Sequence, residues 1–167
     1  MPTKDDVLTE FDVEMANTRK VLERVPDDKF SWKPHDKSGS MGWLANHVAT
    51  LPEFATTILQ SDSHDFDGQT RPKQSESRKE LLDAFDKNIR VTRAEMEKLS
   101  DAALQKPWTL SYKGQTIFTM PRGAALRSPF MNHLIHHRAQ LGVYLRLNNV
   151  PLPSLYGPTA DEPWQPS

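Results

Sequence analysis

The stretch Phe130-Met131-Asn132-His133-Leu134-Ile135-His136-His137-Arg138-Ala139-Gln140-Leu141-Gly142-Val143-Tyr144-Leu145 decides how this chain is read. On a helix of 3.6 residues per turn each residue advances by about 100°. Leu126, Phe130, Leu134, Leu141, Tyr144 and Leu145 then share one sector, as they do on a helix with one face on a core. His133 and His137 fall within or beside that sector. Their i, i+4 spacing stacks the two side chains about 5–6 Å apart at Cβ, a separation one ion can bridge. His136 lies about 100° away from His137 and outside the sector, so it receives no ligand role.

Outward from this segment the same periodicity recurs three times. A first helix is expected from about Thr3 to Val25, with Leu8, Phe11, Met15, Thr18, Leu22 and Val25 in register and Pro26 ending it. Ser40 offers an N-cap to a second, Met41 to about Gln60, whose inner side is read as Trp43, Leu44, His47, Val48, Leu51, Phe54 and Ile58. Pro52 is expected to bend it. Phe30 and Trp32, in the connection before it, are expected to lie over the core. Ser77 and Glu80 have capping-box spacing ahead of a third helix that runs to about Leu99. The last helix extends from Arg122 to about Asn148, before Asn149, Pro151 and Pro153. Between the third and last helices, Trp108 to Met120 reads as a short β-hairpin turning at Lys113-Gly114. The polar stretch Ser61 to Gln74 reads as a mobile loop. The fold class is therefore all-α, a four-helix bundle with that hairpin, in a single domain over residues 1–167.

Composition narrows the function classes. With 21 basic against 22 acidic residues spread along the chain and a net charge of −1, the balance gives no basic face for nucleic acid. Residues 1–25 are charged every few positions, so neither a signal peptide nor a membrane span is expected and the compartment is read as cytoplasmic. The chain has no cysteine, so any metal must use nitrogen and oxygen ligands.

His47 sits on the apolar stripe of the second helix, where it can face His133 and His137. Two readings stand side by side. An inward histidine is commonly a hydrogen-bonded core residue, whereas an i, i+4 pair on an inner face either shares an ion or needs separate partners for each ring. The inner stripes carry no central carboxylate, Glu14 only bordering one, which argues against a carboxylate-bridged di-iron centre. Three imidazoles without a fourth protein ligand make the open arrangement in which zinc activates water or substrate. His133-Leu134-Ile135-His136-His137 lacks the glutamate of a metalloprotease motif, and no glycine-rich phosphate loop is present. His35 is placed at the surface and His64 in a solvated loop.

The run His133 to Leu141, then Tyr144-Leu145-Arg146 and Val150 to Pro158, resembles the DinB/YfiT-like proteins, metal-dependent four-helix bundles, as do Trp32-Lys33-Pro34 and Leu44-Ala45-Asn46-His47. The resemblance spans most of the chain. It implies that His47, His133 and His137 hold one divalent ion, zinc or nickel, with a coordination position open. It also implies a homodimer and, as the activity, metal-dependent transfer or hydrolysis in which a small-molecule thiol or water meets an electrophile. The alternative it leaves is a non-catalytic metal-binding or structural module linked to stress or damage. Ala139 stands where relatives commonly carry glycine, a departure that leaves the ligands intact.

Overall fold

The structure, a computed structural model, describes residues 3–66 and 73–164. Helix α1 spans Lys4–Leu22 and is started by a capping box, in which the Asp6 N–H donates to the Thr3 hydroxyl and the Thr3 N–H to the Asp6 carboxylate. It stops short of Pro26, as expected. Helix α2 spans Met41–Gln60, with the Ser40 hydroxyl accepting from the Trp43 N–H at 3.1 Å. Helix α3 spans Arg78–Glu97. Its Ser77 cap accepts from the Glu80 N–H, while the Glu80 carboxylate accepts from the Glu76 N–H instead of completing the box at Ser77.

The last long helix starts and stops close to where the sequence placed it, but it is not uniform. A short α4, Asp101–Leu104, precedes the sheet, and α5, Arg122–Ala125, follows it. Next comes a wide π-helical stretch, Leu126–Asn132, and then α6, His133–Leu147. Pro129 lies inside the wide stretch. It has no N–H to donate, and its ring crowds the carbonyl four residues back, which accounts for the widened turn. At the far end Asn149 takes φ +58°, and the Val150 and Asn149 N–H groups donate to Leu145 and Arg146. That pairing closes the helix with a left-handed residue.

The all-α expectation needs correction: the described residues are mostly helical but include a mixed three-stranded sheet in the order β1-β2-β3. The expected hairpin is there, as β2 (Pro107–Tyr112) paired antiparallel to β3 (Gln115–Pro121). Lys113 and Gly114 both have positive φ, the turn whose twist matches a hairpin's. The third strand falls in the stretch read as a loop: β1, Ser63–Phe66, pairs parallel to β2, with Ser63 opposite Thr109. A parallel pair needs a long crossover, and here α3 and α4 supply it. The rest of that expected loop, 67–72, lies outside the described residues.

Helix α2 packs on α3 and α6, and α1 packs on the same two. The buried line of α2 is Leu44, Val48, Leu51, Ala55 and Ile58. It meets Leu81 and Phe85 of α3, Phe11 and Met15 of α1, and Leu134, Leu141 and Leu145 of α6 in one core. Phe30 and Trp32 are half-buried and pack over it, as expected. Trp43, expected inside, is 47% exposed, and His47 and Phe54 flank the buried line instead of sitting at its centre.

Two buried cations join the elements. Arg122 donates through Nε to the Ile58 carbonyl and through Nη2 to that of Ser61, satisfying the free carbonyls at the end of α2. Arg138 of α6 forms a buried ion pair with Glu14 of α1 at 2.8 Å. No helix of the described residues is long and apolar enough to cross a membrane.

Candidate metal centre

His47 projects from the flank of α2, and His133 and His137 from the first turns of α6, all half-buried. The three expected residues come together: each offers one ligand atom, and those atoms lie within 4.8 Å of one another. His133 Nε2 is 3.3 Å from His47 Nε2 and 2.8 Å from His137 Nε2. The His47 ring meets the other two edge to face, with centroids 4.6 Å apart for His47 and His137, while His133 and His137 are tilted at 55°. His35 and His136 are exposed, His136 with its ring centroid 4.9 Å from that of His137. His64 is half-buried on β1 beside Phe54, not in a solvated loop.

This arrangement is unfavourable for three bare imidazoles. A neutral ring presents at Nε2 either one N–H or one lone pair, so His133 can satisfy one close neighbour with a good hydrogen bond but not both. A cation at the centre removes the conflict, because all three nitrogens then direct lone pairs at it. The spacing suits one. Tetrahedral ligands at zinc–nitrogen distances lie about 3.3 Å apart and ligands at right angles about 2.9 Å, close to the 3.3 and 2.8 Å found.

The surroundings favour the lone-pair form. Burial, and then the charges of His137 and His133, push His47 down to about 4. Burial first, and then His137, also lowers His133. Both rings are therefore neutral near pH 7, the state a metal requires. The Nδ1–H of His137 donates to Gln140 Oε1 at 2.7 Å, which fixes Nε2 as the nitrogen with the lone pair. Among the described residues no carboxylate joins the group. Glu14 is committed to Arg138 and accepts from the Tyr156 hydroxyl at 2.6 Å.

Arg138 is absent from the expected core although it lies four residues after Leu134 and three before Leu141, in the buried sector itself. Trp43, expected in the core, instead stacks its indole on His47 with centroids 5.4 Å apart and planes 11° from parallel.

A mostly helical fold that gathers three half-buried imidazoles makes this a candidate metal-site protein, and comparison with known proteins gives its family. The chain belongs to the DinB superfamily, whose family model matches residues 10–141. It is 30% identical over 131 residues to YjoA of Bacillus subtilis (strain 168), covering 77% of this chain and 80% of that protein. It is 24% identical over 165 residues to YrdA of the same organism, covering 96% and 92%. Among solved structures it is similar to a DinB-like protein of Bacillus cereus ATCC 10987, with a TM-score of 0.72, 20% identity and coverage of 92% and 98%. The crystal structure of YjoA gives 0.70 at 22% identity, over 89% and 96%. Ala139, the departure noted above, is exposed, so its methyl group meets solvent and not the core.

Proposed function

We propose that this chain is a four-helix-bundle metalloenzyme that holds one divalent ion, zinc or nickel, on His47, His133 and His137 and transfers a small-molecule thiol to an electrophile. The observation that carries the reading is the convergence of three half-buried Nε2 atoms with no carboxylate among them. Bound there, a divalent ion supplies Lewis acidity, lowering the pKa of a thiol or water that reaches the open position. The chain's own residues do the rest. Gln140 orients His137, burial keeps His47 and His133 unprotonated, and the half-exposed position of all three rings leaves the site within reach of solvent.

Elemental analysis of protein purified without a histidine tag tests the ligand set. Wild type and His136→Ala should carry one equivalent of metal, and His47→Ala, His133→Ala and His137→Ala should each lose it. Thiol transfer is tested by adding common bacterial thiols to the cobalt-loaded protein. A shift in the visible spectrum followed by transfer to an electrophile is expected; no response to any thiol would remove the transferase reading.

A second reading has its own support, since ligands from α2 and α6 would let an ion tie two helices together. On that reading chelation lowers the melting temperature steeply and thiols do nothing. The chain is also proposed to form a homodimer in the cytoplasm, with exposed Val143 and Leu147 on α6 as the supporting surface. Light scattering that returned the mass of one chain at tens of micromolar would end the dimer reading.

A further inference from the structure

Metal-bound histidines usually donate their second ring N–H to a carbonyl, carboxylate or water, which fixes the plane of the ring. His137 has Gln140 for this. Among the described residues His47 makes no such hydrogen bond; its one close polar neighbour is His133. Its plane is set instead by the indole of Trp43, one helical turn earlier, lying 11° from parallel. Trp43 is itself backed by Gly39, since a Cβ at that position would come within 2.4 Å of Trp43 Cε3. Gly39 is held in turn from α6, because the Tyr144 hydroxyl donates to its carbonyl at 3.4 Å.

We infer that Trp43, seated against Gly39, is the positioning residue for His47, replacing by stacking the kind of hydrogen bond that orients His137. The inference rests on the metal-site reading above. Its physical basis is that an imidazole giving its lone pair to a cation becomes electron-poor, and an electron-poor ring is attracted to the negative face of an indole. The stack therefore strengthens when metal binds, and Trp43 raises the affinity of the site without touching the ion. A mainly apolar role for Trp43 does not fit its 47% exposure. The same contact places an indole beside the ion, so its fluorescence reports occupancy.

The experiment is titration of the full-length, chelator-stripped protein with cobalt(II) alone, followed by its visible absorption and by tryptophan emission. Four proteins are compared: wild type, Trp43→Leu, Trp43→Phe and Gly39→Ala. Wild type should bind one equivalent and lose emission in step with the visible bands. Trp43→Leu should bind about tenfold more weakly, the lower end of the usual effect of losing a ligand's orienting partner. Trp43→Phe should recover most of the affinity while losing the quench. Gly39→Ala leaves the indole present but displaced, and should weaken both affinity and quench. Melting of the metal-free proteins should be nearly unchanged in both Trp43 variants. If wild type takes up no cobalt, the metal-site reading and this one fall together. If wild type binds and Trp43→Leu and Gly39→Ala bind equally well, the stack alone is overturned.

Discussion

Arg138 and Glu14 are 2% and 8% exposed at their side chains and form the most deeply buried ion pair among the described residues. Arg138→Leu removes one charge and leaves the carboxylate of Glu14 with the Tyr156 hydroxyl as its remaining described partner. The backbone is not orphaned by the change, because the Glu14 carbonyl still accepts from the Thr18 hydroxyl at 2.7 Å. The loss is therefore that of an uncompensated buried charge, about 3–5 kcal/mol. For a chain of this size that is a fall in melting temperature of about 6–20 °C. Glu14→Leu should cost a similar amount, since it strands the guanidinium. The double Leu variant leaves no charge behind and should recover most of either loss, because buried pairs exchanged together for apolar residues are often neutral. Urea unfolding in excess chelator measures all four proteins without the neighbouring histidines adding a metal contribution. Additive losses in the double variant, or a loss below about 1 kcal/mol in Arg138→Leu, would refute the argument that desolvation dominates at this pair.

The C-terminal segment supplies a pH-dependent contact. The Asp161 carboxylate accepts from Arg146 and, at 2.8 Å, from the Leu152 N–H, and these contacts hold its carboxyl below the usual range. A lowered value means that the contact stabilises above the ordinary carboxylate pKa and is lost as pH falls through the lowered one. Residues 150–164 should therefore become protease-sensitive on acidification below about pH 4 but not at pH 9, and Asp161→Asn should show the same sensitivity at pH 7. Gly114 has φ +77° with open space where a Cβ would go, so Gly114→Val should cost about 1–2 kcal/mol through backbone strain alone; an unchanged urea midpoint would contradict it. Metal at a hundredfold excess over its dissociation constant should stabilise the fold by about 2.7 kcal/mol, seen as a rise in melting temperature that chelator reverses and that His133→Ala does not show.

Helix α2 shows how far local chemistry carries. Ser40 had a side chain able to cap, the apolar spacing began at once, and the observed span Met41–Gln60 is the expected one. The Lys113-Gly114 turn was legible for the same reason, since a turn of two residues depends on their own backbone preferences. The three histidines were legible as a set, two from helical spacing and one from its expected place on an apolar stripe, although it flanks that stripe in the structure. Strand β1 was not. Ser63–Phe66 has its partner beyond α3 and α4, and nothing local in Ser-His-Asp-Phe specifies a parallel neighbour. The widened turn at Leu126–Asn132 is similar, because proline in a helix predicts a disturbance but not which relief the surroundings permit.

The sequence by itself determined where the long helices lie, that no thiolate site could form, and that His133 and His137 share one helix face, because each follows from the backbone and a few neighbouring residues. Only the tertiary structure decided that His47 brings its Nε2 to 3.3 Å from that of His133, that Trp43 faces outward to stack on it, and that Arg138 finds Glu14 in the core. Those outcomes depend on how α1 and α2 are rotated and set against α6. A rotation of one residue, about 100°, would leave every helix intact and take the site apart.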